Sequence, residues 1–336
     1  MKKIVTLLLA GMIALSGSLY AKETKNDFKV ATSLYVGWLP WYFAADKGIL
    51  DKHAKANGIN VKLDIINDYI ESLNLYTSGS YDAVTVTNMD NLSIPALSGI
   101  KSKALIIGDY SNGNDGIVLK SIKTIKEAKG KRFYLVEYSV SHYLLARTLQ
   151  KNGMSERDVQ VVSTNESDIL TVYLTSSEKA GVVTWNPWLA QTLNDPKSTQ
   201  IASSADIPYE ILDLMVVNEK TSDPRFEKTL RDTWAEILDI TTNPANPRHG
   251  EMLSYMAGQS QATVAEIKSQ LKTTHFFSAK EEAEFRTSKK LTNTMKLVSQ
   301  FLFDKGLYGN LKDVKDIGIQ TGDTVIGNKN TIRLTF

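Results

Sequence analysis

Short apolar strands alternate with helical stretches along most of this chain, and that alternation restricts its fold more than any other feature. FKVATSLYVG reads as a strand, followed by a Pro-led turn and one amphipathic helix, FAADKGILDKHAKANG, stopped by Gly58. VKLDII, YDAVTVT and SKALIIGDY read as strands, ESLNLYTSG as a helix, and NLSIPALSG as a helix or turn. The strand centres, Val84 to Val86 and Leu105 to Ile107, are nearly all apolar, which suits a sheet covered on both faces.

The glycine- and asparagine-rich stretch SNGNDG breaks the series, and a second one follows. GIVLK, KRFYLVE, VQVVS and AGVVTW read as strands; SHYLLARTLQKNG, DILTVYLTSS and the stretch after Asn186 read as helices. ILDLMVVN is again strand-like. From there to about Phe303 the pattern is helical, with RFEKTLRDTWAEILDITTN the clearest 3.6-residue period. The tail TVIGNKNTIRLTF reads as a hairpin turning at Gly327 to Asn330. This order predicts parallel βαβ units in two α/β lobes. Residues 27–112 and 217–336 form the first, residues 113–216 the second, and two chain crossings near Asn112 and Val216 join them.

The opening MKKIVTLLLAGMIALSGSLYA has a basic start, an apolar run of roughly a dozen residues and a small-residue end. It reads as a signal peptide over residues 1–21, cleaved near Ala21, and is too short for a membrane span. The chain has no cysteine, so a lipid anchor after the apolar run and disulfides are both excluded. A formal net charge of +2 argues against nucleic acid as a partner.

In open α/β sheets a ligand sits beyond the carboxyl ends of the strands. That rule selects the loops VGWLPWYFA, NDYIESLNLY, TNMDNLSIP, GDYSNGNDGI, VEYSVSHYLLA, STNESDILTV, TWNPWLAQT and SADIPYEILDL. None holds a lysine or arginine, although 39 of the 336 residues are basic and roughly eighty loop positions would carry about nine by chance. Acids are plentiful: Asp68, Glu71, Asp90, Asp109, Asp115, Glu137, Glu166, Asp168, Asp206, Glu210 and Asp213. Trp38, Trp41, Trp185 and Trp188 fall in the same loops. Carboxylates and aromatic faces suit a cation, the former as acceptors for N–H donors and the latter as cation–π surfaces. Each acid also has a plainer reading as a helix cap or surface group, Asp68 and Asp90 especially. Ser139 and Ser141 stand where N-caps are expected, with His142 beside them. The remaining histidines, His53, His249 and His275, have no metal-ligand spacing, and no GxSxG or phosphate loop occurs. No metal or cofactor is expected. Asn91-Leu92-Ser93 matches a glycosylation sequon, a weak signal.

SLYVGWLPWYFAADKGI, NDYIESLNLYTSGSYDAVTVTNMD, GDYSNGNDGIVLK, VEYSVSHYLLARTL, VVTWNP and IPYEILDLMVVN resemble the substrate-binding proteins of ABC importers in the nitrate/sulfonate/taurine class. The resemblance is nearest to the subgroup of urea-carboxylase gene regions associated with urea. It implies a type II periplasmic-binding fold, two Rossmann-like α/β lobes joined by two crossing strands around a ligand cleft. It also implies a monomer in the periplasm that delivers a small molecule to an ABC permease in the inner membrane. The ligand residues it implies are Trp38, Trp41, Asp68, Tyr69, Asn88, Asp90, Glu137, Ser139, Ser141, His142, Trp185, Asn186 and Glu210, with Pro40 stiffening the first turn. Sulfonate and nitrate binders carry a small anion cradle where this chain reads VEYSVSH, and Glu137 departs from it. Urea-carboxylase neighbourhoods also implicate guanidine. A guanidinium-like cation is therefore the first expectation, urea the second and a small anion the alternative, with Glu137→Gln expected to weaken cation binding tenfold or more. A pyrimidine-synthesising enzyme of thiamine biosynthesis shares the fold, but it depends on a cysteine-rich motif and is not exported. A binding protein, not an enzyme, is the reading retained.

Overall fold

The computed structural model describes residues 25–176 and 179–336; the expected signal peptide, residues 1–21, lies outside them. In chain order the strands are β1 (Asp27–Thr32), β2 (Asn60–Ile65), β3 (Ala83–Thr87), β4 (Ser102–Ser111), β5 (Asp115–Lys120), β6 (Arg132–Leu135) and β7 (Gln160–Ser163). Then come β8 (Gly181–Trp185), β9 (Ser198–Ser203), β10 (Leu212–Asn218), β11 (Thr274–Phe276), β12 (Gly318–Thr321), β13 (Thr324–Ile326) and β14 (Ile332–Thr335). They form two sheets: β13-β12-β14-β4-β10-β3-β1-β2, with β11 added on β4, and β7-β6-β8-β5-β9. The chain leaves the larger sheet after Ser111 and returns to it at Leu212.

The sheets are mixed, not purely parallel. β1 runs parallel to β2 and β3, and β6 parallel to β7 and β8. β10 lies antiparallel between β3 and β4, and β5 antiparallel to β8 and β9. The crossings cause this: β5 and β10 each enter their sheet from the side where the other strands end, so they run against them. Their inward ends meet the carboxyl ends of β1, β3 and β8 in one place, where the site lies.

Three local expectations are corrected. The single helix expected after β1 is two, Leu39–Asp46 and Ile49–Ala56, because Gly48 takes a left-handed conformation with φ 70° and ends the first. The tail is not a hairpin at Gly327 to Asn330: β13 pairs antiparallel with β12, while β14 lies parallel to β12 on its other side. Gly327, at φ 79°, leads the chain around the end of β12 rather than back along β13. The regular elements between 219 and 303 are helices except for β11, which the helical period concealed.

Helix Pro224–Thr242 holds the first turn of the site from behind. Asp223 caps it, its carboxylate accepting from the Arg225 N–H at 2.8 Å, and Pro224 occupies the first turn, where no N–H is needed. Phe226, Leu230 and Trp234 recur at helical spacing on the buried face. Phe226 stacks on Phe28 of β1 at 4.4 Å, and Trp234 stacks on Trp41 at 5.5 Å. Replacing Trp234 with alanine leaves a cavity against Trp41. Urea unfolding should show a loss of about 3 kcal/mol or more; a loss below about 1 kcal/mol would mean that the stack adds little.

Candidate functional site

The turn after β1 places the first wall. Tyr35 and Trp38 lie edge to face at 5.2 Å, and Trp38 lies 5.7 Å from Tyr69, the first residue of helix Tyr69–Thr77. Tyr69 in turn meets Trp185, the last residue of β8, at 6.2 Å. Gly37 allows this packing: a Cβ there would collide with the Tyr35 ring and come within 2.7 Å of Asp109 Oδ2. These aromatics enclose a cavity completed by Thr87, Asp115, Val140, Ile211 and Asp213. The space open to the centre of a water-sized sphere is about 20 Å³. That is little more than one water needs, so the cavity as it stands accepts a species of only a few heavy atoms.

Four carboxyl groups are buried at this point: Asp90 and Asp109 each 1 % exposed, Asp115 3 % and Asp213 4 %. Asp115 and Asp213 line the cavity, while Asp109 and Asp90 stand behind it. The Tyr69 hydroxyl donates to Asp90 Oδ2 at 2.7 Å, as does the Thr87 hydroxyl, and Asp90 Oδ1 has no donor. The Ser111 hydroxyl donates to Asp115 Oδ2 at 2.5 Å. The Tyr35 hydroxyl donates to Asp109 Oδ1 at 2.9 Å, and Asp109 Oδ2 has no donor. Asp109 and Asp213 stand directly opposite each other on β4 and β10. Among the described residues no lysine, arginine or histidine pairs with any of the four. Burial therefore pushes their pKa values up, Asp90 to about 6 and Asp109 and Asp115 to about 7, with Asp213 raised well above the usual range. Mutual repulsion adds to the rise at Asp109, Asp115 and Asp213.

Of the residues singled out in the sequence, Trp38, Tyr69 and Trp185 line the cavity, and Asp90 braces it through Tyr69. The others lie elsewhere. Trp41 is core, stacked on Trp234. Asp68 caps helix Tyr69–Thr77, accepting from the Glu71 N–H at 2.8 Å. Asn88 ties the second crossing to β3, its amide donating to the Glu210 carbonyl and its oxygen accepting from the Leu212 N–H, each at 3.1 Å. Glu137 is half-buried and faces Tyr138 and His142. Ser139 caps helix Val140–Lys151, accepting from the Ser141 N–H at 3.2 Å; the buried Ser141 hydroxyl has no partner. His142 Nδ1 accepts from the Tyr138 N–H, so Nε2 carries the hydrogen and donates to Glu156 at 2.5 Å. Burial, with Lys305 nearby, lowers the His142 pKa to about 4 and keeps it neutral. Asn186 accepts from the Ala190 N–H at 3.1 Å. Glu210 is held by both arms of Arg147 at 2.9 Å and by the Tyr143 hydroxyl.

Tyr35, Asp115 and Asp213 line the cavity but were not singled out, although both aspartates were counted among the cleft acids. Their signal is register: only the pairing of β4 with β10 and the start of β5 bring residues so far apart in sequence together.

Two bonds cross between the sheets at the cavity mouth. Trp185 Nε1 donates to the Leu34 carbonyl at 3.2 Å, and the Tyr69 N–H donates to the buried Glu166 carboxylate at 2.6 Å. Chemically the arrangement can hold a small cation: carboxylates in contact with it, aromatic faces around it and no protein cation in competition. No group of three or more His, Cys, Asp or Glu side chains suited to a metal ion occurs among the described residues, and none of their helices is long and apolar enough to cross a membrane.

Among curated proteins no sequence match was found. Solved structures share the fold. The alkanesulfonate-binding protein SsuA from Xanthomonas axonopodis pv. citri, bound to MOPS, superposes with TM-score 0.69 at 14% identity, over 85% of this chain and 95% of that one. The aliphatic sulphonate binding protein SsuA from Escherichia coli gives 0.67 at 14% identity, over 84% and 88% of the two chains. The nitrate-binding protein NrtA from Synechocystis PCC 6803 gives 0.65 at 12% identity, over 86% and 84%. The architecture is thus the two-lobed periplasmic-binding fold. Residues 37–223 match the family described as NMT1/THI5 like, and with more than half of the sequence inside that match the chain belongs to the NMT1/THI5-like family.

Proposed function

We propose that this chain is an extracytoplasmic solute-binding protein that captures a small nitrogenous cation of the guanidinium type and delivers it to an ABC permease. The fold and family support the class of protein. One observation carries the choice of ligand: Asp115 and Asp213 face a cavity walled by Trp38, Tyr69 and Trp185 with no basic side chain in its lining. Guanidinium offers N–H donors around a flat, apolar-faced ion, so carboxylates can clamp its edge while an indole covers its face. Urea has the same outline without the charge and gains less from buried acids. A sulfonate as large as MOPS has no room in a cavity of this size. The anion reading has its own support, since Val140 lines the cavity at the start of helix Val140–Lys151 and the neighbouring Ser141 hydroxyl is buried without a partner. Two buried carboxyl groups in the lining, Asp115 and Asp213, and two behind it, with no basic side chain paired to them, oppose it. In operation the ligand bridges groups from both sheets and favours the closed form.

Calorimetric titration of the chain, stripped of ligand by unfolding and refolding, decides among these. Guanidinium should bind, urea at least tenfold more weakly, and nitrate and methanesulfonate not measurably; binding of an anion with no response to guanidinium would refute the reading. Variants locate the site. Asp213→Asn should weaken guanidinium binding by tenfold or more, the range for a lost charge-assisted hydrogen bond of about 1.5–3 kcal/mol. Trp38→Ala should cost about 0.5–2 kcal/mol, the value of one cation–π face. Glu137→Gln, away from the cavity, should change affinity less than about twofold; a tenfold loss there with no loss in Asp213→Asn would move the site to the start of helix Val140–Lys151.

A further inference from the structure

We propose that the cation enters in exchange for a proton that Asp109 and Asp213 share in the ligand-free protein. This rests on the cation-binding reading above and adds how the empty site tolerates its own charge.

The two side chains project from directly opposed positions of neighbouring antiparallel strands, so they lie on the same face of the sheet, and both are buried, Asp109 1 % and Asp213 4 % exposed. A carboxylate can only accept, so a hydrogen bond between two carboxyl groups requires one proton between them. No neighbour supplies a substitute. The Tyr35 hydroxyl has a single hydrogen, which it gives to Asp109 Oδ1, and Asp109 Oδ2 finds no N–H or O–H donor. Groups from every adjoining element leave the site acidic or neutral. Asp115 faces the pair from β5 and Tyr35 from the turn after β1. Thr87 stands opposite Asp213 on β3, and Asp90 follows close behind it. On β11, Phe276 stands opposite Asp109, and its neighbour His275 is half-exposed, 3.7 Å from Glu281. Like charges directly opposed across a ladder are destabilising in water and more so when buried. Among the described residues no lysine or arginine neutralises these.

Asp213 is also the member of the pair that lines the cavity, so a cation seated there takes over the proton's role. The exchange balances: one cation enters, one proton leaves to solvent, and the net charge of the buried site is unchanged. Burial weakens these acids, raising Asp109 and Asp115 to about 7 and Asp213 well above the usual carboxylate range, so the pair keeps a proton near neutral pH until a cation displaces it. The pair also sits where the chain crosses between the sheets: Asp109 two residues before the end of β4, Asp115 at the start of β5, Asp213 at the start of β10. Proton or cation occupancy therefore acts where the chain passes from one sheet to the other.

Titrating guanidinium chloride into the intact chain near pH 6 in two buffers of different ionisation enthalpy counts the protons released. About one per cation is expected, with affinity rising roughly tenfold per pH unit until the pair gives up its proton unaided and levelling beyond that point. Asp109→Asn should release few protons and bind with a flattened pH dependence. Equal heats in both buffers with a pH-independent affinity would overturn the exchange and leave the cation reading standing. No guanidinium binding at any pH would overturn that reading and the exchange with it.

A second readout needs no ligand. These carboxyl groups hold protons more tightly folded than unfolded. Their contribution to stability is full below the unfolded pKa near 4 and is lost as pH rises through about 7. The melting temperature of Asp213→Asn relative to the parent chain should therefore rise between pH 5 and pH 7.5. A difference that stays constant over that interval would show that Asp213 holds no proton in the folded protein.

Discussion

The site is organised by one electrostatic constraint: carboxyl groups buried where no protein cation can reach them. Asp109 and Asp213 are neighbours because β10 returns to the larger sheet between β3 and β4, and Asp115 joins them because β5 begins at the same level. Removing even one such charge from water is costly unless it is paired, protonated or hydrogen-bonded. Tyr35, Ser111, Thr87 and Tyr69 supply hydroxyl donors, enough to fix the positions of the carboxyl groups and too few to neutralise them. The deficit is what a small cation would satisfy.

Helices elsewhere in the molecule serve that geometry. Trp234 and Phe226 brace the first turn and β1 from behind, so that Tyr35 and Trp38 hold their places. Gly37 lets the Tyr35 ring and the Asp109 carboxylate approach the backbone together. Away from the cavity carboxylates find cations, Glu210 with Arg147 and Glu156 with Lys305. Solved structures of the same fold include sulfonate and nitrate binders; under the cation reading proposed above, these buried acids are what would set this chain apart from them.

Much of this architecture is legible in the sequence, because strand and helix periods are local. The apolar runs at Val84 to Val86 and Leu105 to Ile107 are buried strands, and Phe226, Leu230 and Trp234 form a helix face. The absence of lysine and arginine from the cleft loops is also visible there, and it points toward a cation. Roles within those loops are less legible. Asp68 and Asp213 look alike as letters; one caps a helix and the other lines the cavity, and the difference is set by a strand register that couples positions a hundred residues apart. Trp38 and Trp41 differ by three positions, nearly one helical turn, and face the cavity and the core respectively. Glu137 stands in the loop where the resemblance places an anion cradle, but with the left-handed turn at Tyr138 it is Val140, not Glu137, that reaches the lining. The tail misled because Gly327 and the residues after it read as a hairpin turn, whereas β14 finds its partners in β12 and β4.

The most direct test of the account is a crystal structure of the chain grown with guanidinium. The account predicts flat density between Trp38 and Trp185, in hydrogen-bond contact with Asp115 and Asp213, with Asp109 behind it and still bonded to Tyr35. Density instead at the start of helix Val140–Lys151, held by backbone N–H groups and the Ser141 hydroxyl and filled by an anion carried from the cell, would contradict it.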